Sequence, residues 1–391
     1  NVNGSIASHT DGSTGDVDIA SYSDATVSVN VDLSLTQGNA INVGTGLGSD
    51  VFYGIEGVIG GSADDTLKGT IGANSLIGGL GNDTLLGGGV SGGSATVYDY
   101  IEGGEGSEDF VSYSYLTNAQ KAVIDLSNTA VQNASDAGYI QIKTVENLEG
   151  GVGADTLYGN ADDNTLIGRE GIDVFRGADG ADAFIGGIAT ITAGVVTGNS
   201  DSSVDKVDYS SLSGGNGIVA DMNVSGENDT TLEIGRVTND GFGKVDTLYG
   251  IEHIIASNYV DNITGDSDDN VNNTFEGREG SDIISGGSGA DVLYGGYLSG
   301  EGSELSTDVT TLKDTLDGGT GADSLYGGKG DDLLKGGSGS DTIDGGSNTV
   351  NDNATFTGDT VDYTSENKIL VTLSAGGAVV TVDSSSNGFA D

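Results

Sequence analysis

This sequence predicts an all-β repeat chain, and three observations predict it. The first is periodicity: residues 318–344 spell one nine-residue pattern three times, as GGTGADSLY, GGKGDDLLK and GGSGSDTID. In each copy two glycines open the unit, a third follows one residue later, a carboxylate (Asp323, Asp332, Asp341) stands sixth and an aliphatic residue (Leu325, Leu334, Ile343) eighth. That is a glycine-rich turn followed by a very short strand, and a fixed period outranks any single-element assignment. The second is composition: 391 residues hold 70 glycines, no proline, cysteine or tryptophan, and only 35% hydrophobic residues, which does not describe a conventional packed core. The third is phase. High net charge with low hydrophobicity is the signature of disorder, but here the aliphatic residues fall at one fixed place in the period.

Sixty acidic residues against 13 basic ones give a formal net charge of −47. Nucleic acid and anionic membranes need clustered Lys and Arg, so both are disfavoured as partners. Such a surface calls for cations. No apolar run approaches the ~20 residues of a membrane span, so no membrane insertion is expected. Without cysteine there is no disulfide framework, and a secreted chain of this kind needs another source of stability. The sequence starts at Asn1 with no signal-peptide pattern, which fits a processed or excerpted chain.

Taken in order, residues 1–59 are a β-rich preface, where Val27, Val29, Val31 and Leu33 alternate with polar residues in the period of a half-buried strand. A first array, 60–88, runs GGSADDTLK, GTIGANSLI and GGLGNDTLL. An insertion and β-rich spacer, 89–149, contains GGEGSEDFV (103–111), SYS around Tyr113, VIDLS (123–127) and the start of TVENLEGG. The second array, 150–187, has four unbroken nonads. Residues 188–257 form another insertion and spacer, with VDYSS around Tyr209 and GIEHIIAS at its end. The third array, 258–296, carries three extra residues near 271–273. An insertion, 297–313, precedes the fourth array, 314–346, and 347–391 starts a further spacer with GDTVDYTS and KILVTLS. A super-repeat therefore lies above the nonad: Tyr22, Tyr113, Tyr209 and Tyr363 mark its start, and Glu56, Glu146 and Glu252 its middle. Its interrupted last copy suggests a segment of a longer repetitive protein, or an end completed by a neighbour.

The spacing carries metal chemistry. Glycine at the first, second and fourth positions permits backbone dihedrals that let successive carbonyls turn toward one point. A carboxylate two residues after the last glycine completes an all-oxygen site, and hard oxygen donors without His or Cys select Ca²⁺ over zinc or copper. Mg²⁺ fits less well, because it insists on a small octahedron and keeps its waters. The candidate turn glycines are Gly60, Gly78, Gly81, Gly150, Gly153, Gly171, Gly180, Gly280, Gly286, Gly289, Gly318, Gly321, Gly327, Gly330, Gly336 and Gly339. The candidate side chains are Asp65, Asn74, Asp83, Asp155, Asn164, Asp173, Asp182, Asp261, Asn270, Asp282, Asp291, Asp314, Asp323, Asp332 and Asp341.

Six nonads, starting at Gly78, Gly150, Gly286, Gly318, Gly327 and Gly336, fit G-G-x-G-x-D-x-U-x at every fixed position, with U a large aliphatic residue. The chain thereby resembles the RTX, or haemolysin-type, calcium-binding nonapeptide family. The resemblance implies right-handed parallel β-roll or β-solenoid arrays, two nonads to a coil, with several Ca²⁺ ions, each between turns one coil apart. Transferred to this sequence, it pairs Asp65 with Asp83, Asp155 with Asp173, Asn164 with Asp182, Asp314 with Asp332, and Asp323 with Asp341. In the third array the insertion stretches the pairs to Asp261 with Asp282 and Asn270 with Asp291. Asn74 and Asn164 keep an oxygen but lose a charge, so weaker sites are expected there. The resemblance also implies a Gram-negative bacterial origin and type I export as an unfolded chain that folds in millimolar external calcium.

Catalytic readings fare worse. Asp64 and Asp65, Asp162 and Asp163, or Asp331 and Asp332 could be a glycosidase acid and base, but their phase in the nonads favours calcium ligation or a solvated turn. Residues 89–93, GVSGG, match the nucleophile elbow formally, without the strand and helix it needs. His9 and His253, the only histidines, lie in no catalytic pattern. Tyr158, Tyr294 and Tyr326 at the ninth position read as cross-strand packing rather than sugar-stacking groups, while Glu56, Glu146 and Glu252 are open between calcium ligands and turn residues. The expectation is a non-enzymatic, extracellular calcium-binding structural repeat protein of the cell surface: an S-layer, surface filament or adhesin repeat region. Self-association into a layer or filament and a cell-surface polysaccharide are the expected partners beside calcium. The alternative is the calcium-binding C-terminal region of a type I-secreted protease, lipase or alginate epimerase, which the length of the mature polypeptide would discriminate.

Overall fold

The computed structural model describes residues 17–35, 40–88, 94–95, 97–192, 195–197, 203–213, 215–222, 234–267, 271–298, 312–346 and 360–361. Among these residues there is strand, turn and bend but no helix: the protein is an all-β parallel roll. The chain divides into two compact units, Asn1–Asp205 and Lys206–Asp391.

In the first unit, successive nonads go alternately to two sheets. Gly57–Ile59, Ser75–Leu80 and Asp99–Glu105 stack parallel in one, while Thr66–Lys68, Thr84–Leu86 and Phe110–Ser112 stack parallel in the other. Thr66 pairs with Thr84, so one coil of the roll is two nonads long. Further along, Asn147–Glu149, Thr165–Ile167 and Ala183–Ile185 continue the second sheet, opposite a row made of Val123–Asp125, Thr156–Tyr158 and Val174–Arg176. Most of these strands are three residues long, while Ser75–Leu80 has six and Asp99–Glu105 seven. In most of the three-residue strands the central side chain points inward between less buried neighbours, following the side-chain alternation of a strand; in Ala183–Ile185, Phe184 and Ile185 are both fully buried.

The core is thus two facing ladders of central residues. Leu67, Leu85, Val111, Leu148, Leu166 and Phe184 form one, and Val58, Leu76 and Ile101, then Ile124, Leu157 and Phe175, the other, all fully buried. Each inward step of one apolar side chain removes about 1.5 to 3 kcal/mol worth of surface from water.

The second unit repeats the plan. Lys206–Asp208, His253–Ile255, Thr274–Glu276, Val292–Tyr294, Ser324–Tyr326 and Thr342–Asp344 form one parallel sheet. Val219–Asp221, Asn262–Thr264, Ile283–Ser288, Thr315–Gly321, Leu333–Lys335 and Thr360–Val361 form the other. Ile234–Asn239 is antiparallel to both Val219–Asp221 and Asp246–Tyr249.

The β-rich spacers lend strands to the same ladders as the nonads; Phe110–Ser112 sits between Thr84–Leu86 and Asn147–Glu149. Two expectations change on this fold. The alternating run from Val27 to Leu33 yields one short strand, Asn30–Asp32, with Val29, Val31 and Leu33 buried and Val27 exposed. This strand has three residues, and the alternation does not extend beyond it as strand. The super-repeat tyrosines are not equivalent either: Tyr113 and Tyr209 are buried anchors, whereas Tyr22 is only half-buried and donates its hydroxyl to Asp50 Oδ2 at 2.7 Å. Tyr363 and KILVTLS lie outside the described residues.

Candidate metal centres

The sixth position of the nonads stands two residues before a strand centre that is buried in the described arrays except at Ile343, and this places its side chain inside the wall of the roll. Asp65, Asp83, Asp155, Asp173, Asp182, Asp261, Asp282, Asp291, Asp314, Asp323 and Asp332 are all buried, as are Asn74 and Asn164. Asp341 lies in the last described nonad and is not among the buried residues. Each carboxylate reaches back one coil and accepts the backbone N–H of the residue that holds the same place there. Asp65 N donates to Asp83 Oδ1 at 2.7 Å, Asp155 N to Asp173 Oδ1 at 2.7 Å, and Asn164 N to Asp182 Oδ1 at 2.9 Å. In the second unit Asp261 N donates to Asp282 Oδ1 at 2.8 Å, Asp314 N to Asp332 Oδ1 at 2.9 Å, and Asp323 N to Asp341 Oδ1 at 3.1 Å. The sequence pairs are brought together.

For the remaining pair, Asn270 lies outside the described residues; Asp291 Oδ1 accepts from Asn273 N at 2.8 Å. Thr274 pairs with Val292, so the normal coil of 18 residues is kept on this side, and the three extra residues fall ahead of Asn273. Two residues before a buried strand centre, here Phe275, is the criterion that selects Asn273.

The same criterion finds rungs that nonad spacing missed. Asp83 N donates to Asp109 Oδ1 at 2.7 Å across 26 residues, and Asp109 N to Glu146 Oε2 at 3.0 Å across 37. Asp173 N donates to Asp205 Oδ1, Asp282 N to Asp314 Oδ1 and Asp291 N to Asp323 Oδ1, each at 2.8 or 2.9 Å across 32 residues. The described rungs on either side of each insertion are in register. Glu146 resolves one open question: it stands nine residues before Asp155, two before buried Leu148, and fills a carboxylate place in the ladder.

The second carboxylate oxygen carries the metal argument. Oδ2 of Asp83, Asp109, Asp282, Asp291 and Asp323, and Oδ1 of Asn273, are buried with no hydrogen-bond partner. Each of these aspartate oxygens faces the first glycine of its own turn, and a carbonyl one coil on faces the same space. A Cβ on Gly277 would lie 2.5 Å from Asp282 Oδ2 and 2.6 Å from Gly295 O. On Gly318 it would lie 2.6 Å from Asp323 Oδ2 and 2.5 Å from Gly336 O. Gly78 and Gly286 face their own Asp83 and Asp291 together with Gly103 O and Gly318 O; Gly60, Gly150 and Gly327 face Asp65, Asp155 and Asp332, and Gly336 faces Asp341. Buried oxygen set against oxygen is unfavourable unless a cation lies between. At the first rungs, Asp65 and Asp155, Oδ2 instead accepts N–H from Gly61 at 2.5 Å and Gly151 at 2.6 Å.

The fourth-position glycines Gly81, Gly171, Gly180, Gly280, Gly289, Gly321, Gly330 and Gly339 have φ from +108° to +153°. At Gly171 an added Cβ would come within 2.6 Å of Gly153 O on the coil before. Gly153 itself is pressed by Gln120 O.

Burial raises the affinity of these carboxylates for protons when no metal is bound. It pushes Asp83 up to about 7, with the charges of Asp65 and Asp109 adding to the effect. Asp282 rises to about 9 through burial and then Asp314, Asp261 to about 6 and Asp291 to about 6, burial again leading. Groups of this kind ionise when an opposite charge arrives. Among the described residues no three His, Cys, Asp or Glu side chains gather at one point. The available donor set is one or two carboxylates plus backbone carbonyls, which suits a large oxygen-seeking ion and not zinc.

The remaining sequence candidates are structural. His253 is buried with Nε2 2.8 Å from Glu276 Oε1. Tyr294 and Tyr326 stack on each other at 4.9 Å and 10°, and Tyr158 lies under Arg176. Residues 89–93 and His9 lie outside the described residues.

Stacked glycine turns with a carboxylate ladder behind them define a calcium-type parallel β-roll. Residues 59–91, 145–175, 158–188, 269–296 and 310–349 match the family of the RTX calcium-binding nonapeptide repeat (4 copies). These segments are similar to that family, whose repeats bind Ca²⁺ at multiple sites. No curated protein matches the chain.

Proposed function

We propose that this chain is a non-catalytic, calcium-stiffened structural region of a secreted bacterial surface protein: an S-layer, a surface filament or an adhesin repeat region. RTX repeat proteins are typically secreted. The observation that carries the reading is the continuity of the ladder within each unit. Asp65, Asp83, Asp109 and Glu146 run through a spacer without losing register, and Asp261, Asp282, Asp314 and Asp332 run through an insertion. A compact calcium clamp on an enzyme needs a few coils; a load-bearing stack needs the wall to persist while loops vary outside it.

In this reading each ion sits between successive coils, held by the sixth-position carboxylates and the turn carbonyls that face them. Bound calcium supplies the positive charge that the opposed oxygens require. Binding only the folded form, it stabilises by mass action, so the chain stays loose in low calcium and sets in the millimolar range of extracellular modules. Stacked parallel strands end in unpaired edges, which favour end-to-end association.

Electron microscopy of the secreted protein in millimolar calcium tests the assembly. Sheets or filaments that dissolve on chelation are expected, and strictly monomeric particles at high concentration would overturn the structural reading.

A further inference from the structure

One turn of the first array lacks the opposition of oxygens found at its neighbours. In residues 69–74 the sixth position is Asn74, which is buried. Its Nδ2 lies 3.0 Å from Thr70 O, 2.6 Å from Gly72 O, 2.8 Å from Gly87 O and 2.9 Å from Asp99 Oδ1. Two of these oxygens are carbonyls of the same turn, and the other two, a carbonyl and a carboxylate, belong to the next coil. Asn74 Oδ1 accepts the N–H of Thr70 at 2.9 Å, and Asn74 N donates to Asp99 Oδ1 at 2.8 Å, so the rung keeps the ladder contact as well.

Four oxygens around one nitrogen is the surrounding an oxygen-seeking cation would take. An amide NH₂ has two protons to offer and carries its positive end outward, toward those oxygens. The comparison with the next nonad is direct. A Cβ on Gly69 would lie 2.7 Å from Asn74 Nδ2 and 2.5 Å from Gly87 O, whereas one on Gly78 would meet Asp83 Oδ2 and Gly103 O. Donor faces acceptor in the first case, acceptor faces acceptor in the second.

We propose that Asn74 is a built-in substitute for calcium: its side-chain amide occupies the cation's place between turn 69–74 and the Asp99 coil. This rung then orders without metal, a fixed step inside an otherwise calcium-dependent array. The inference rests on the calcium reading of the neighbouring Asp turns, and it replaces the expectation of a weakened ion site at Asn74. Asn164 shares the Oδ1 contact, accepting from Asn160 N at 2.8 Å, but its Nδ2 turns to the preceding coil at Glu146 O, 2.6 Å away, and a Cβ on Gly159 would meet Asn164 Oδ1 and Gly177 O, acceptor against acceptor as at the Asp turns.

The test is the number of calcium ions bound per chain at saturating calcium, from equilibrium dialysis with metal analysis, for the intact protein, Asn74→Asp and Asn74→Ala. Asn74→Asp restores the opposed oxygens and should bind one ion more than the parent; Asn74→Ala should bind no fewer. An unchanged number with tighter binding in Asn74→Asp, or one ion fewer in Asn74→Ala, would show that Asn74 already serves as a ligand and would overturn the proposal. Should Asn74→Asp fail to fold, the alanine variant decides alone. A parent that binds no calcium would instead overturn the reading of the Asp turns, an outcome separate from either variant result.

Discussion

A sixth-position aspartate does two jobs with its two oxygens. Oδ1 ties its turn to the coil before, accepting from Asp261 N at Asp282 and from Asp291 N at Asp323, and Oδ2 is left buried against a carbonyl. The first contact is an ordinary charge-assisted hydrogen bond; the second is favourable only with a cation or a proton in place. Two residues on, the apolar side chain at the strand centre supplies the buried core of its nonad. Leu293, between Phe275 and Leu325 in one ladder, has no exposed surface. Leu293→Ala should cost about 2 to 5 kcal/mol in denaturant unfolding of the calcium-loaded protein, since the rigid coils cannot collapse into the cavity. A loss below about 1 kcal/mol would mean that the ladder relaxes and is not close-packed.

At the scale of the element, the nonad is a turn whose glycines are not all alike. Gly81 has φ +108°, and an added Cβ would lie 2.7 Å from Ala63 C and 2.8 Å from Asp64 N. Gly72 holds the same fourth position in the preceding nonad, is not among the positive-φ glycines, and its Cβ would meet only Thr70 Oγ1 at 3.4 Å. Gly81→Ala should therefore lose at least the 1–2 kcal/mol or so of a left-handed L-residue, together with the spacing of two coils, whereas Gly72→Ala should be near neutral. Thermal unfolding in calcium compares them, and equal losses would show that coil spacing plays no part. The elements outside the arrays obey the same rule of a carboxylate two residues before a buried centre. Asp109 with Val111 and Glu146 with Leu148 were legible on that rule, but insertions hid their pairing, because sequence separations of 26 and 37 residues carry no period.

The whole molecule responds to pH through the same carboxylates. Without metal, the folded-state values of Asp261, Asp291, Asp83 and Asp282 stand at about 6, 6, 7 and 9, above the ordinary 3.8. A group whose folded value is raised binds protons more tightly in the fold. Its stabilising contribution is complete below pH 3.8 and is lost as pH climbs through about 6 to 9. Chelated protein should accordingly gain β-structure by circular dichroism on acidification from pH 9 to 5, while calcium-loaded protein changes little. Loss of β-structure on acidification of the chelated protein across that window would contradict the buried ladder. The sequence by itself determined the nonad, its calcium chemistry and the all-β class, because glycine, carboxylate and aliphatic residues at fixed offsets have one low-energy use. It took the folded chain to show that the spacers lend strands to the same ladders, that Asn273 donates to Asp291, and that Asn74 turns an amide nitrogen into its cage. Those facts depend on which turn stacks on which, and stacking is set by strand register across insertions that the linear pattern does not count.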